Sequence, residues 1–180
     1  ADGLELTLAV NHLAPFLFTA LVAPLLRAGA PSRVVVVSSR VERVGRIDFD
    51  DLQSTRRYGS VRAYAQSKLA NVLFTYELAS RLSGSGVSAN CLHPGFVDTQ
   101  FMRETPAWLR ALWRSFLSTP EQGARTSLYL AASPLVDGVT GKYFEKVDRE
   151  RRSSRRSYDE GVRRRLWDVS AQLTGAPPLA

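Results

Sequence analysis

The order in which a strand, a helix and a second strand follow one another most constrains what this chain can fold into. The run Arg33–Ser39 (RVVVVSS) is rich in β-branched residues and predicts a strand buried on both faces. Apolar residues recur at helical spacing from Tyr64 to Leu82, and Val87–Leu92 alternates like a second strand. This order favours a parallel sheet, so the sequence predicts an α/β fold.

Further elements are predicted on both sides of this unit. Residues 3–27 form an apolar segment expected to be mainly helical, and Tyr143-Phe144 predicts a last short strand. Thr119–Gln122 and Ser157–Glu160 are both capping-box patterns, which predict the starts of two later helices. Residues 40–62 are polar and predict a long loop.

Length and composition limit the number of domains and the kinds of site. The 180 residues, 44% hydrophobic and 23% charged, predict a single domain, 1–180, with a core of ordinary size. The single cysteine, Cys91, cannot form an internal disulfide, so we expect a cytoplasmic protein. One cysteine and two histidines are too few for the four ligands of a typical structural zinc site, so we expect no metal.

Charge and hydropathy bear on the partners of the chain. The net charge is +7, and Lys146–Arg165 holds nine basic and four acidic side chains. We interpret this segment as a solvated basic surface and expect no nucleic-acid partner. The longest apolar stretch, Leu13–Leu26, is shorter than the roughly 20 residues that cross a bilayer, so we expect no membrane span.

The predicted sheet lacks parts that such a fold normally has. Three strands leave the sheet edges without cover, and no glycine-rich turn leads from a strand into a helix. Gly84 and Gly86 lie at a helix-to-strand junction, which is the wrong end for holding a phosphate. We therefore expect a doubly wound parallel sheet that is incomplete, with only the later strands and helices present.

Several side chains have the chemistry of a reaction site. Tyr64 and Lys68 are four residues apart and share one helical face, where a lysine lowers the pKa of a tyrosine and makes it a proton donor and acceptor. A surface tyrosine–lysine pair would look the same. Ser39 ends a strand, where it could bind a substrate carbonyl or merely terminate the strand.

Two proline positions suggest further contacts. Pro15 cannot donate to the carbonyl of Asn11 four residues earlier, so we expect a bent helix and a free carbonyl that could hold a water. A simple helix bend is the alternative. Pro94-Gly95 follows the second strand in a rigid turn that would let backbone approach a ligand. His93 next to it is expected to be a packing residue.

Four segments of the chain carry a family resemblance: NHLAPF (Asn11–Phe16), VVVVSS (Val34–Ser39), YAQSK (Tyr64–Lys68) and HPGFVDT (His93–Thr99). In this order and spacing they resemble the short-chain dehydrogenase/reductase superfamily. The segments GRIDFDDLQ, SKLANVLFTYELASRL and RRRLWDVSAQLTG resemble its retinol-dehydrogenase-like branch. The resemblance implies a Rossmann-like fold and an oxidoreductase that interconverts a carbonyl and an alcohol with NADP or NAD.

The resemblance also implies a role for each matching residue. Tyr64 would be the general acid and base, and Ser39 would orient the carbonyl. Lys68 would hold the nicotinamide ribose, and Asn11 would anchor the water of a proton relay. The residues implied to line the nicotinamide are Pro94, Gly95, Val97 and Thr99. Residues 100–117, with two tryptophans, would form a lid over a lipophilic small-molecule substrate.

The chain departs from the family pattern at its start. The family's TGxxxGxG turn and NNAG segment are absent, and Ala14 stands where a glycine is usual. We therefore expect a fragment that carries the catalytic part and binds nicotinamide cofactor poorly by itself. Two alternatives are an inactive scaffold protein that forms a homodimer through residues 3–27 and 64–82, and a reductase of another branch, resembling protochlorophyllide reductase.

Overall fold

The computed structural model of the chain describes residues 3–95 and 119–179, and within them one sheet of four strands. The strands are β1 (Ser32–Val37), β2 (Val87–Leu92), β3 (Tyr143–Lys146) and β4 (Arg149–Arg151), in that order across the sheet. The first three pair in parallel, and β4 pairs with β3 antiparallel. The predicted α/β class is confirmed; β4 was not predicted.

Helices cover both faces of this sheet. They are α1 (Leu6–Ala28), α2 (Ser60–Arg81), α3 (Pro120–Ala132) and α4 (Glu160–Thr174). Short 3₁₀ turns span Arg40–Val44, Pro134–Val136 and Arg155–Tyr158. Helices α1, α2 and α4 pack on one face and α3 packs on the other, which is the doubly wound arrangement that the sequence predicts.

Helix α2 lies at the centre of the larger core and is buried on most of its surface. An aromatic cluster joins it to its neighbours: the ring centroid of Phe16 on α1 lies 5.5 Å from that of Phe74 on α2 and 4.8 Å from that of Trp167 on α4. The opposite face of the sheet packs Leu92 and Phe144 against Leu130 of α3. The position of α2 is therefore fixed from several sides.

Helix α4 does not begin where its capping-box pattern predicts. Ser157 lies inside the 3₁₀ turn, where its hydroxyl pairs with that of Ser153 at 2.7 Å and donates to the Ser154 carbonyl at 2.7 Å. Asp159 caps the helix instead, since its Oδ1 accepts from Val162 N at 3.0 Å. The Thr119 capping box is present as predicted, with both of its hydrogen bonds formed.

Strand β1 is less buried than its run of valines predicts. It lies at the edge of the sheet as far as the structure describes it and pairs with β2 alone. Its last residue, Val37, is 44% exposed. The prediction that this strand is buried on both faces is wrong: of its four valines only Val36 is buried, and the side of β1 away from β2 has no partner in the described part of the chain.

Helix α1 is longer than the apolar stretch recognised in the sequence. It runs 23 residues, and its most apolar window has a mean hydropathy of 1.7, so by length and composition it could cross a membrane. The length of this apolar helix therefore no longer supports the prediction of no membrane span. Core helices of the same length and composition meet this criterion too, and Leu13, Phe16 and Ala20 of α1 are buried in the core.

Candidate active site

The chain leaves β1 through two serines that have different surroundings. Ser38 is buried, and its hydroxyl donates to the Lys68 carbonyl at 2.7 Å. Ser39 is half-buried, and its Oγ accepts from Val41 N at 3.4 Å, so its own proton is still available for a ligand. The structure therefore gives Ser38 a packing role and leaves Ser39 able to donate.

Tyr64 and Lys68 meet on one face of α2, as their spacing predicts. The Lys68 Nζ lies 5.6 Å from the centroid of the Tyr64 ring, and the Tyr64 side chain is 41% exposed. Nζ donates to the Val37 carbonyl at 3.3 Å, which ties the ammonium to the end of β1. Burial lowers the pKa of Lys68, because desolvation disfavours the charged amine.

The side chain of Asn71 also reaches the end of β1, although the sequence patterns did not predict a role for this residue. Its Nδ2 donates to the Val37 carbonyl at 3.2 Å, so one carbonyl accepts from both Lys68 and Asn71. The signal was present, because position 71 is seven residues after Tyr64 and therefore shares its helical face.

Asn11 approaches α2 from α1. Its Nδ2 donates to Ser67 Oγ at 3.0 Å, and Ser67 Oγ in turn donates to the Tyr64 carbonyl at 2.9 Å. The helix does not simply bend before Pro15: residues Ala9–Leu13 form a π-helical turn, in which Ala14 N donates to the Ala9 carbonyl. The wider turn makes room for the proline ring. A water held by the Asn11 carbonyl stays a prediction.

The end of β2 lies beside the end of β1. Ser38 N donates to the Leu92 carbonyl at 2.7 Å, so the residues that follow the two strands share one edge of the sheet. Gly95 has φ +88°, a conformation that favours glycine, and Pro94 is half-buried. The predicted contacts Val97 and Thr99, and the predicted lid at 100–117, lie outside the described residues.

His93 is buried at this edge and extends the sheet, with its N–H donating to the Phe144 carbonyl at 2.8 Å. Burial and, to a smaller extent, the positive charge of Arg40 lower the pKa of His93 to about 4, against the opposing effect of Glu145. The imidazole is therefore neutral at pH 7, as suits the packing residue that the sequence predicts.

A buried carboxyl group supports the turn that follows Ser39. Glu42 is fully buried, and its Oε1 accepts from Ser154 N at 2.9 Å. Burial raises the pKa of Glu42, because desolvation disfavours the carboxylate. Glu42 thus fixes the Arg40–Val44 turn to the segment before α4, and nothing in the sequence pattern singled it out.

A cleft of about 510 Å³ runs along the free edge of β1, between this strand and α1. Asn11, Lys68 and Asn71 line it with polar groups, and residues such as Phe18 and Val35 make most of its remaining wall apolar. The amine of Lys68 thus stands where an apolar cleft meets the polar end of the sheet.

Comparisons with known proteins agree with this arrangement. The family model described as short chain dehydrogenase matches residues 1–110. Human retinol dehydrogenase 14 is 47% identical over 180 residues, covering 97% of this chain and 53% of that protein. Human retinol dehydrogenase 11 is 44% identical over 179 residues, covering 98% and 56%. The chain therefore spans about half the length of the curated relatives it matches.

A solved structure is similar over nearly the whole chain. The crystal structure of an uncharacterized protein from Mycobacterium paratuberculosis superimposes with a TM-score of 0.76 at 34% sequence identity. The match covers 98% of this chain and 61% of that one.

Proposed function

Because the chain belongs to the short-chain dehydrogenase family, we propose that the protein interconverts a carbonyl compound and its alcohol with NAD or NADP. The predicted resemblance to the retinol-dehydrogenase-like branch is confirmed by identities of 44% and 47%. Retinol is an apolar alcohol, so these relatives support a lipophilic substrate. One observation carries the proposal: Tyr64 and Lys68 stand together beside the end of β1, where Ser39 follows.

The residues at this edge of the sheet fit the nicotinamide-ribose end of such a cofactor. Lys68 has three N–H donors and, within the described residues, gives one of them to the Val37 carbonyl, so two remain for ribose hydroxyls. Gly95 has no side chain and a positive φ, so its backbone would allow a planar ring to approach beside Pro94. When bound, the cofactor would supply or accept the hydride at the substrate carbon.

Other cofactor contacts rest on sequence alone. Val97 and Thr99 keep their proposed place along the nicotinamide, by the family resemblance. No glycine-rich turn joins a strand to a helix in these 180 residues, so we assign the cofactor's pyrophosphate to none of them.

Tyr64 would handle the proton of the reaction. In the reducing direction its phenol donates to the carbonyl oxygen, and in the oxidising direction its phenolate accepts the hydroxyl proton. The ammonium of Lys68, 5.6 Å from the ring centroid, stabilises the phenolate left behind. The hydroxyl of Ser39 would donate to the same substrate oxygen and hold it in place.

The state of these side chains favours catalysis over a scaffold that merely inherited the motif. Tyr64 is accessible, Ser39 keeps a proton to donate, and Lys68 is partly desolvated yet retains free donors. Asn11, which the resemblance places in a proton relay, contacts the helical turn of Tyr64 through Ser67.

The proposal is tested by identifying the product. The natural protein in which this sequence occurs is incubated with decanal and either NADPH or NADH, and both decanol and oxidised cofactor are measured. We expect equal amounts of the two products with at least one cofactor. Ser39→Ala should lower kcat/KM about a hundredfold, the usual size for one lost oxyanion donor.

The matched control is Ser83→Ala, at an exposed serine in the turn that follows α2, which should leave kcat/KM unchanged. Absence of decanol with both cofactors, or an equal loss in both serine variants, would contradict the proposed function.

A further inference from the structure

A second pocket, of about 450 Å³, lies apart from the Tyr64–Lys68 site. It lies between the segment that follows the Arg40–Val44 turn, α2 and the start of α4. Ile47, Phe49, Leu69 and Val162 give it an apolar floor. Its volume lies in the range of small-molecule sites, and none of its lining residues belongs to the proposed catalytic site.

Three arginines stand around this floor: Arg46, Arg156 and Arg165. Within residues 3–95 and 119–179, none of the three forms an ion pair, whereas the nearby Arg62 pairs with Asp48 at 2.6 Å and Arg164 with Glu160 at 3.1 Å. Each guanidinium offers five N–H donors in a planar fork that suits carboxylate and phosphate groups. The pocket therefore presents cationic donors that form no ion pair with a carboxylate of the described residues.

Two of these guanidinium groups are held in position by other contacts. Arg156 donates to the Gly45 carbonyl at 3.1 Å, and the guanidinium of Arg165 stacks 4.1 Å from the centroid of the Phe49 ring. Gly45 itself packs so closely on α2 that a Cβ there would lie 2.4 Å from the Ala65 carbonyl oxygen. Ordering these groups beforehand lowers the entropy cost of binding a ligand.

One carboxylate also lines the pocket. Asp159 caps α4, where its Oδ1 accepts from Val162 N at 3.0 Å, and within the described residues it forms no ion pair with the three arginines. The first turn of α4 contributes the positive end of the helix dipole at the same place. Cations exceed anions around the pocket by three to one, and the floor between them is apolar.

We propose that this pocket binds a small amphipathic anion, in which a phosphate or carboxylate group is joined to an apolar body. The anionic group would bind the guanidinium groups of Arg46, Arg156 and Arg165, and the apolar body would lie on Ile47 and Val162. The ligand is a free molecule in solution rather than a membrane surface, because the apolar floor lies in a concave pocket between secondary-structure elements and not on a flat face. This binding site is independent of the proposed oxidoreductase activity.

Calorimetry with three probes tests both parts of the recognition. We expect decyl phosphate, kept below its critical micelle concentration, to bind at least about tenfold more tightly than inorganic phosphate or decanol, which is about 1.4 kcal/mol or more. If inorganic phosphate binds as tightly as decyl phosphate, the apolar body does not contribute to binding, which would contradict that part of the proposal. Equal affinity for decanol would remove the anionic part.

Variants then locate the site. Arg165→Gln and Arg46→Gln should each weaken decyl phosphate binding about tenfold, the loss expected for one charge-assisted contact. Arg46 is exposed and forms no hydrogen bond or ion pair within the described residues, so this second variant keeps the test valid if Arg165→Gln disturbs folding. Arg151→Gln, on β4, removes the same charge from the basic segment outside the pocket and should change nothing.

A loss of binding in Arg151→Gln as large as in the pocket variants would assign the effect to general charge and overturn the proposal. Binding to phosphatidylcholine vesicles containing phosphatidic acid, without binding of free decyl phosphate, would assign the arginines to a lipid surface and would also overturn it.

Discussion

At the scale of single residues, the site depends on one backbone carbonyl. Val37 accepts hydrogen bonds from both Lys68 and Asn71, and Ser38 binds the Lys68 backbone from the same turn. Tyr64, Lys68 and Ser39 were predictable, because spacing and the end of a strand place them at one edge of the sheet. Asn71 could have been recognised by extending the helical face of Tyr64 and Lys68 by one more turn. Glu42 could not be recognised, because its burial depends on the tertiary fold and not on the local sequence.

His12 is expected to make the stability of the fold depend on pH. It is buried, its Nε2 lies 2.8 Å from Ser170 Oγ, and burial lowers its pKa to about 4, with the Asn71 amide opposing this. In the unfolded chain the pKa is about 6.5, so below that pH the unfolded state binds more protons than the folded state. The free energy of unfolding therefore falls as pH decreases from 6.5 towards 4.

His12→Gln removes this titration. Between pH 7.5 and pH 5, the wild-type free energy of unfolding should fall by about 2 kcal/mol more than that of the variant. Urea unfolding at the two pH values measures this difference, in which His93 and Glu42 cancel because both proteins contain them. A constant difference at both pH values would show that His12 is not protonated differently in the folded and unfolded states.

At the scale of elements, local patterns succeeded where no distant group competed for the same side chain. The Thr119 capping box forms because Gln122 N donates to Thr119 Oγ1 at 3.3 Å and Thr119 N donates to Gln122 Oε1 at 3.1 Å, with no distant residue of the described chain bonded to either side chain. The Ser157 pattern failed because Ser153, itself bonded to the Tyr76 hydroxyl at 2.7 Å, holds the Ser157 hydroxyl inside a 3₁₀ turn. Tyr76 and Ser153 are 77 positions apart, so a four-residue motif cannot predict their contact.

The true cap of α4 can be identified by substitution. Asp159→Ala should lower the free energy of unfolding by about 1 kcal/mol, because Val162 N loses its partner. Asp159→Asn should restore most of this loss, since asparagine caps as well as aspartate. Asp168→Ala, an exposed aspartate further along α4, is the control and should have little effect in the same urea titration. An equal loss in Asp159→Asn and Asp159→Ala would argue against capping.

At the scale of the whole molecule, the parallel sheet with helices on both faces was predictable from the order of elements. The exposure of β1 could not be predicted, because a run of valines indicates only that such strands are usually buried on both faces. In the described sheet, one side of β1 is unpaired. Phe18, Leu21 and Leu25 of α1 are also exposed. The predicted homodimer through this helix stays a prediction.

Cofactor affinity is a property of the whole sequence. The 180 residues hold groups suited to the nicotinamide ribose but no glycine-rich turn for the pyrophosphate, so by themselves they should bind NADPH weakly. Calorimetry on this sequence should give a Kd weaker than about 0.1 mM, which is roughly 5 kcal/mol of binding free energy. A Kd of a few micromolar would show that residues 1–180 contain a phosphate site that the sequence motifs do not reveal.

The most direct test of the proposed chemistry is the turnover of Tyr64→Phe in the natural protein in which this sequence occurs, measured as decanal-dependent oxidation of NADPH or NADH. Removing the phenol should lower kcat by about a thousandfold, within the usual range for a lost general acid, while the Kd for cofactor stays nearly unchanged. Tyr58→Phe, at an exposed tyrosine outside the site, should retain full turnover. Near-normal kcat in Tyr64→Phe would contradict the assignment of Tyr64 as the proton donor.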